Sequence, residues 1–354
     1  MARPWLIMRG MTEIATAEPR RLLVHWLLFF VIALGIGYPA VSRFDPRTVP
    51  GCADAGRYYE MVSGEQAAAS QQLLRPLVPW VARPIARLSA GHLPSWDPVA
   101  FGLLIASALF SATGALILLH IGRTHAGLPA ATALTGTLLY FLNFAVHNKH
   151  LGCGLVDSGE SSLMLALYWA LLARKLHLLP VVGLVGALAK ETFIPMATIA
   201  TLGWAAVQFR QQRWRAAQGL WLLAMIVVGL SVNVLLQYAA YDRLILPWQF
   251  AAQIRNDPFA RDVSLLTGLI GCLTDRQFWY IFGWLLPLGV LRLRAMPAAW
   301  VGASLGGAAA ALAMGAWINA GGVAAPAIFN AIGPILSLSA AAFLTSAKTR
   351  SARL

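Results

Sequence analysis

Apolar runs of about 20 residues recur along this chain, and short polar connectors separate them. A helix rises about 1.5 Å per residue, so such a run crosses a hydrocarbon core of about 30 Å. Only 12% of the 354 residues are charged and 58% are hydrophobic. A soluble domain of this length carries about twice that charge. The bilayer is therefore the expected solvent. Lipid gives the backbone no hydrogen-bond partners, which leaves helices or a closed barrel. Alternating strand-like segments of about 10 residues are lacking, so the expected class is all-α, a polytopic transmembrane helix bundle. Arg20 and Arg21 precede a long apolar run with no A-x-A site close behind it, so no cleavable signal peptide is expected.

The pattern predicts about ten spans, at 22–41, 98–120, 128–147, 159–173, 178–189, 193–208, 216–239, 277–292, 298–317 and 322–345. Residues 178–207 are too long for one comfortable span, and basic loops flank both ends. The segment is therefore read as two short helices meeting at Lys190-Glu191-Thr192, with Pro195 just after. The Ala/Gly-rich stretch 302–327 reads as close helix packing. The whole is one integral membrane unit. Residues 1–210 form a core carrying a first outer loop at 42–97, and residues 211–354 form C-terminal helices with a second outer loop at 240–276.

Orientation follows from charge. With both termini inside, the cytoplasmic segments hold 15 of the 27 basic residues and only Glu13 and Glu18 of the 14 acidic ones. Short inside loops rich in Lys and Arg are the signature of the positive-inside rule. The same rule accounts for the formal charge of +13 without nucleic acid. Twelve carboxylates then fall outside or at outer helix ends, where the chemistry is expected.

Asp54 lies in CADAGRYYE, shortly after the first span. It suits a general base toward a hydroxyl, held near Arg57, or a first-turn helix charge complementing the dipole. Lys190 and Glu191 sit where a charge is expensive, which suits either a phosphate-binding ammonium or a neutralised pair capping the hairpin. Asp157, in LVDSGE, reads as a polar contact into the same cavity or as an N-cap. Arg75, Arg83 and Arg87 fall within about 120° of one another on a helical wheel. They suit a phosphate-facing stripe or snorkelling to anionic lipid. His147 and His150 have the spacing of two metal ligands, but with no third ligand beside them interfacial solvation is the stronger reading. Cys52, Cys153 and Cys272 are placed near the outer face, where one disulfide and one thiol can form in an unspecified pairing.

Four features taken in order resemble the GT-C superfamily of membrane glycosyltransferases, in the manner of its small bacterial members. They are a loop-one aspartate (ADAGRYYEMVSG), an interfacial Arg/Pro segment (LLRPLVPWVARPI), an aspartate opening a later span (LVDSGES), and GALAKETFIP at the turn of a short helix pair. The resemblance implies inverting transfer of a sugar from a polyprenyl-phosphate donor to a lipid, glycan or protein acceptor. The active face would be periplasmic, on a bacterial inner (cytoplasmic) membrane. It implies Asp54 as catalytic base. Lys190, Arg57, Tyr58, Arg75, Arg83, Asp157, His150 and Glu191 are the candidates for substrate binding, with membrane lipids as surroundings. The resemblance calls for no nucleotide, because the sugar is already activated, and a divalent metal stays open. The chain departs from larger members in lacking a soluble outer domain and an arginine in GVAAPAIFNAIGP. A lipid-linked saccharide or small-solute transporter, or an inactive GT-C-like scaffold, are the alternatives.

Overall fold

A computed structural model describes residues 4–42, 53–64, 71–93, 95–152, 155–246, 249, 264–318 and 321–351. Every regular element among them is helical. The helices are α1 Pro4–Val41, α2 Ala53–Ser63, α3 Leu77–Ser89, α4 Pro98–Thr124, α5 Ala130–Phe141, α6 Asp157–Leu172, α7 Leu179–Ala189, α8 Phe193–Arg210 and α9 Ala216–Tyr241. They continue as α10 Leu265–Thr274, α11 Arg276–Phe282, α12 Leu285–Val290, α13 Ala298–Trp317 and α14 Gly321–Ser351.

Five helices among the described residues are long and apolar enough to cross a membrane, at Arg20–Val41, Pro98–Thr124, Ala216–Tyr241, Ala298–Trp317 and Ala324–Ser346. That is half the number of spans expected from the sequence. The others are shorter: α5 has 12 residues and α7 has 11. At about 1.5 Å per residue these reach under 20 Å and do not cross a 30 Å core alone.

Two expectations are corrected in the C-terminal half. The segment 277–292 is not one span but two short helices, α11 and α12, interrupted at Gly283 and Trp284. The end of the expected outer loop 240–276 is itself helical, as α10. Where helices break, side chains take up the freed backbone groups. Asn143 Nδ2 donates to the Ile281 carbonyl at 2.9 Å, and Asp275 accepts from the Gln277 amide at 2.7 Å. Such repair is what a non-aqueous surrounding demands.

Residues 179–210 form a helical hairpin. Arg174, after α6, donates to Gln208 near the end of α8 at 3.1 Å. The start of α7 and the end of α8 therefore lie together, and Lys190 marks the far turn. The halves of the chain interleave: α13 packs on α8, and α14 packs on α5, α12 and α13. Gly203 and Gly302 bring α8 and α13 into backbone contact, since a Cβ on Gly203 would lie 2.2 Å from the Gly302 carbonyl oxygen. This is the small-residue packing expected of membrane helices.

Loop one is built on α4. The buried face of α3 (Val78, Pro79, Ala82, Ala86, Ser89) lies against that helix, and Trp80, Arg83, Pro84, Arg87 and Leu88 face outward. Helix α2 packs on α3, and its Tyr58 and Val62 join the same apolar cluster.

Candidate functional site

Six stretches of chain meet where α7 turns into α8: α2, the segment of Arg75, the turn of His150, α6, residues 190–192 and α14. Helix α7 stops because Lys190 leaves the helix with extended backbone (φ −165°, ψ 140°). Glu191 and Thr192 then form the turn that opens α8.

Charge sorts these residues into two linked ion pairs. The Lys190 ammonium lies 2.5 Å from Asp157 Oδ1 and 3.5 Å from Glu160 Oε2. The Arg75 guanidinium forks onto Glu191, with Nε to Oε2 at 2.8 Å and Nη2 to Oε1 at 2.5 Å. This bidentate geometry is the strong form of the interaction. The third arm of Arg75 reaches loop one, donating to the Tyr58 hydroxyl at 3.0 Å and standing 4.0 Å from Asp54 Oδ2. Burial pushes the Tyr58 hydroxyl up to about 12, against the opposing pull of Arg75.

A neutral polar chain extends the cluster into the core. Glu160 is fully buried and accepts from Thr192 Oγ1 at 2.6 Å and from Asn330 Nδ2 at 3.0 Å. The Asn330 amide oxygen pairs with His150 Nε2 at 2.9 Å. A carbonyl oxygen only accepts, so in this pairing the proton sits on Nε2. Glu160 opens α6 one turn beyond Asp157, which puts both carboxylates on the face toward Lys190.

The structure brings together Asp54, Tyr58, Arg75, Asp157, Lys190 and Glu191 from the sequence candidates. Asp157 sits in the first turn of α6, but its carboxylate makes no cap bond and turns to Lys190. Asp54 lies in the first turn of α2 and stays half exposed, with 48% of its side chain open. Lys190 was the expected phosphate ligand, yet its immediate partners are two carboxylates.

Others differ from expectation. The three-arginine stripe does not form, because α3 begins only at Leu77. Arg75 therefore lies off the helical phase and is turned inward, while Arg83 and Arg87 point outward. Neither of these two has an ion-pair partner among the described residues. Arg57 is tied to Glu60 on its own helix at 2.9 Å. His150 is not solvated at an interface; it is buried at 1% exposure within a short π-helical turn, Val146–His150. No group of three or more metal-ligating side chains forms among the described residues. Cys52 and Cys153 lie outside the described residues, and Cys272 is a buried free thiol.

Glu160, Thr192 and Asn330 were not singled out from the sequence. Glu160 stood in the quoted LVDSGES, three residues from Asp157, and helical spacing could have flagged it. An amide inside the apolar run of α14 was the available signal for Asn330. No family model matches the chain, and no curated protein matches it.

Proposed function

We propose that this chain is a multi-pass membrane glycosyltransferase, taking a sugar from a polyprenyl phosphate at the outer leaflet and using Asp54 as base. The observation that carries the reading is the placement of Asp54. A half-exposed carboxylate stands 4.0 Å from a guanidinium that buried Glu191 holds in place. A general base needs access to its substrate together with a fixed position, and this arrangement supplies both.

In the proposed reaction Asp54 accepts the proton of an acceptor hydroxyl. That oxygen bonds to the anomeric carbon as the bond from this carbon to the phosphate oxygen breaks. The electron pair leaves on the lipid phosphate, with inversion at carbon. Positive charge near the departing phosphate lowers the barrier. The Nη1 arm of Arg75 and the outward Arg83 suit that task. Lys190 serves here as a positioning residue. It neutralises Asp157 and Glu160 and so holds the break that carries Glu191.

The test is transfer from a polyprenyl-phosphate sugar in detergent or liposomes. Asp54→Asn keeps the shape of the side chain but cannot take a proton. It should slow transfer by about 10²–10⁴-fold and leave the melting temperature and donor binding near the parent values. Transfer at the parent rate would make Asp54 a helix charge only.

One observation favours a second reading. The break between α11 and α12 gives the C-terminal half a discontinuous segment to match the α7–α8 turn. Paired broken helices suit a transporter. Movement of a labelled lipid-linked saccharide across proteoliposomes, without covalent transfer, would put that reading first.

A further inference from the structure

The buried face of α9 runs Leu222, Met225, Gly229, Asn233 and Gln237, and turns polar in its second half. Leu223, Val227, Leu235 and Tyr238 are exposed, while Asn233 and Gln237 are buried at 8% and 2% exposure. Asn233 Oδ1 and Gln237 Oε1 have no hydrogen-bond partner among the described residues. Four residues separate them, so they lie on one face about 6 Å apart along the axis. A buried, unanswered acceptor is costly, and two in succession on a membrane helix call for a reason.

Their height in the bundle locates them. Helices α7 and α9 run side by side in the same direction. The turn Leu176–Leu178, which leads into α7, also touches α9. Higher up, the Met225 carbonyl oxygen stands 2.6 Å from where a Cβ on Gly183 would be, and Gly229 touches Ile194. Lys190 is seven residues beyond Gly183, a rise of about 10 Å. The same rise along α9 from Met225 ends at Val232, beside Asn233. Gln237 is one turn further, and α9 packs on the turn Gln71–Leu74 that leads into Arg75.

We propose that Asn233 and Gln237 form a subsite for sugar hydroxyls, lying along α9 beside the Arg75–Glu191 pair. An amide oxygen accepts from a neutral hydroxyl and repels a phosphate. The stripe therefore suits the carbohydrate end of a ligand whose anionic end lies elsewhere. The choice of a sugar rests on the glycosyl-transfer reading. Assignment to α9 does not, because it follows from burial and unmet bonding capacity.

The full chain is melted in detergent with three sets of probes. These are methyl glycosides of common hexoses and pentoses, a short-chain lipid phosphate alone, and the same lipid phosphate carrying those sugars. At least one sugar should raise the melting temperature of the parent. Asn233→Leu and Gln237→Leu should weaken that response at least ten-fold and leave the response to bare lipid phosphate intact. Without ligand they should melt no lower than the parent, since each removes an unanswered acceptor. Alanine at the same positions carries the same test should leucine prevent folding. The proposal falls if no sugar shifts the parent, or if the variants answer every sugar as the parent does. It also falls if they change stability alone, as two amides bridged by structural water would. A parent that answers sugars but binds no lipid phosphate overturns the glycosyl-transfer reading and leaves the α9 subsite standing.

Discussion

At the residue scale, Lys190 and Tyr58 make opposite demands on their surroundings. The Lys190 ammonium is buried, so it persists only with Asp157 and Glu160 against it. Removing one side of a buried ion pair leaves the other uncompensated, at about 3–5 kcal/mol. Lys190→Met should therefore lower stability by that order. The triple variant Lys190→Met, Asp157→Asn, Glu160→Gln should recover much of it, because no lone charge remains. Melting of the purified variants in detergent checks both, and equal losses in the two would argue against the pairing. Tyr58 is buried as a neutral phenol, and its folded value of about 12 lies above the ordinary 10. Its contribution to stability is present in full below pH 10 and is lost as pH rises from 10 through 12. Tyr58→Phe cannot ionise and should lack that alkaline leg when melting temperature is followed against pH.

At the element scale, short helices make the site. Helix α7 has 11 residues and ends early at Lys190, which brings a helix break and its charges to the end of the bundle. A full-length span would have carried those residues past loop one. Holding two short helices in place then falls to packing, and α8 approaches α13 closely enough to test this. A Cβ on Gly203 would sit 2.2 Å from the Gly302 carbonyl oxygen, which is backbone and cannot swing aside. Gly203→Val should separate the helices and cost about 1–3 kcal/mol. Gly219→Ala is the control, since its new Cβ meets nothing nearer than 3.6 Å. Equal melting temperatures for the two variants would contradict the packing described.

At the scale of the whole molecule, charge sets the expected orientation. The connectors at Arg123, at Arg174 and Lys175, and at Arg210–Arg215 are basic, whereas the ionised site lies at the opposite ends of α6 and α7. The positive-inside rule places those connectors in the cytoplasm and the site on the other side. Reporter fusions at Arg123, Gln211 and Lys348 should read cytoplasm, and a fusion at Ser63 should read the opposite compartment. A cytoplasmic signal at Ser63 would turn the site inward and remove the outer-leaflet mechanism with it.

The sequence by itself determined the helical class, the long apolar helices, and the place of the break at Lys190. Apolar run length and charge density are local quantities and need no contacts to be read. Asp54, Tyr58, Arg75, Asp157, Lys190 and Glu191 were also legible, because an ionisable group near a long apolar run is conspicuous wherever it points. Only the tertiary structure decided which of them pair. Arg75 parted from Arg83 because α3 starts two residues after it. Lys190 met Asp157 and Glu160 rather than its neighbour Glu191, because extended backbone at the break turns adjacent side chains to different sides. Asn330 reaches Glu160 across 170 residues of chain. No spacing rule spans that distance; the contact exists because α14 folds back against α6. The split of 277–292 was equally out of sight, since its composition is that of a span and its break is answered by Asn143 from a distant turn.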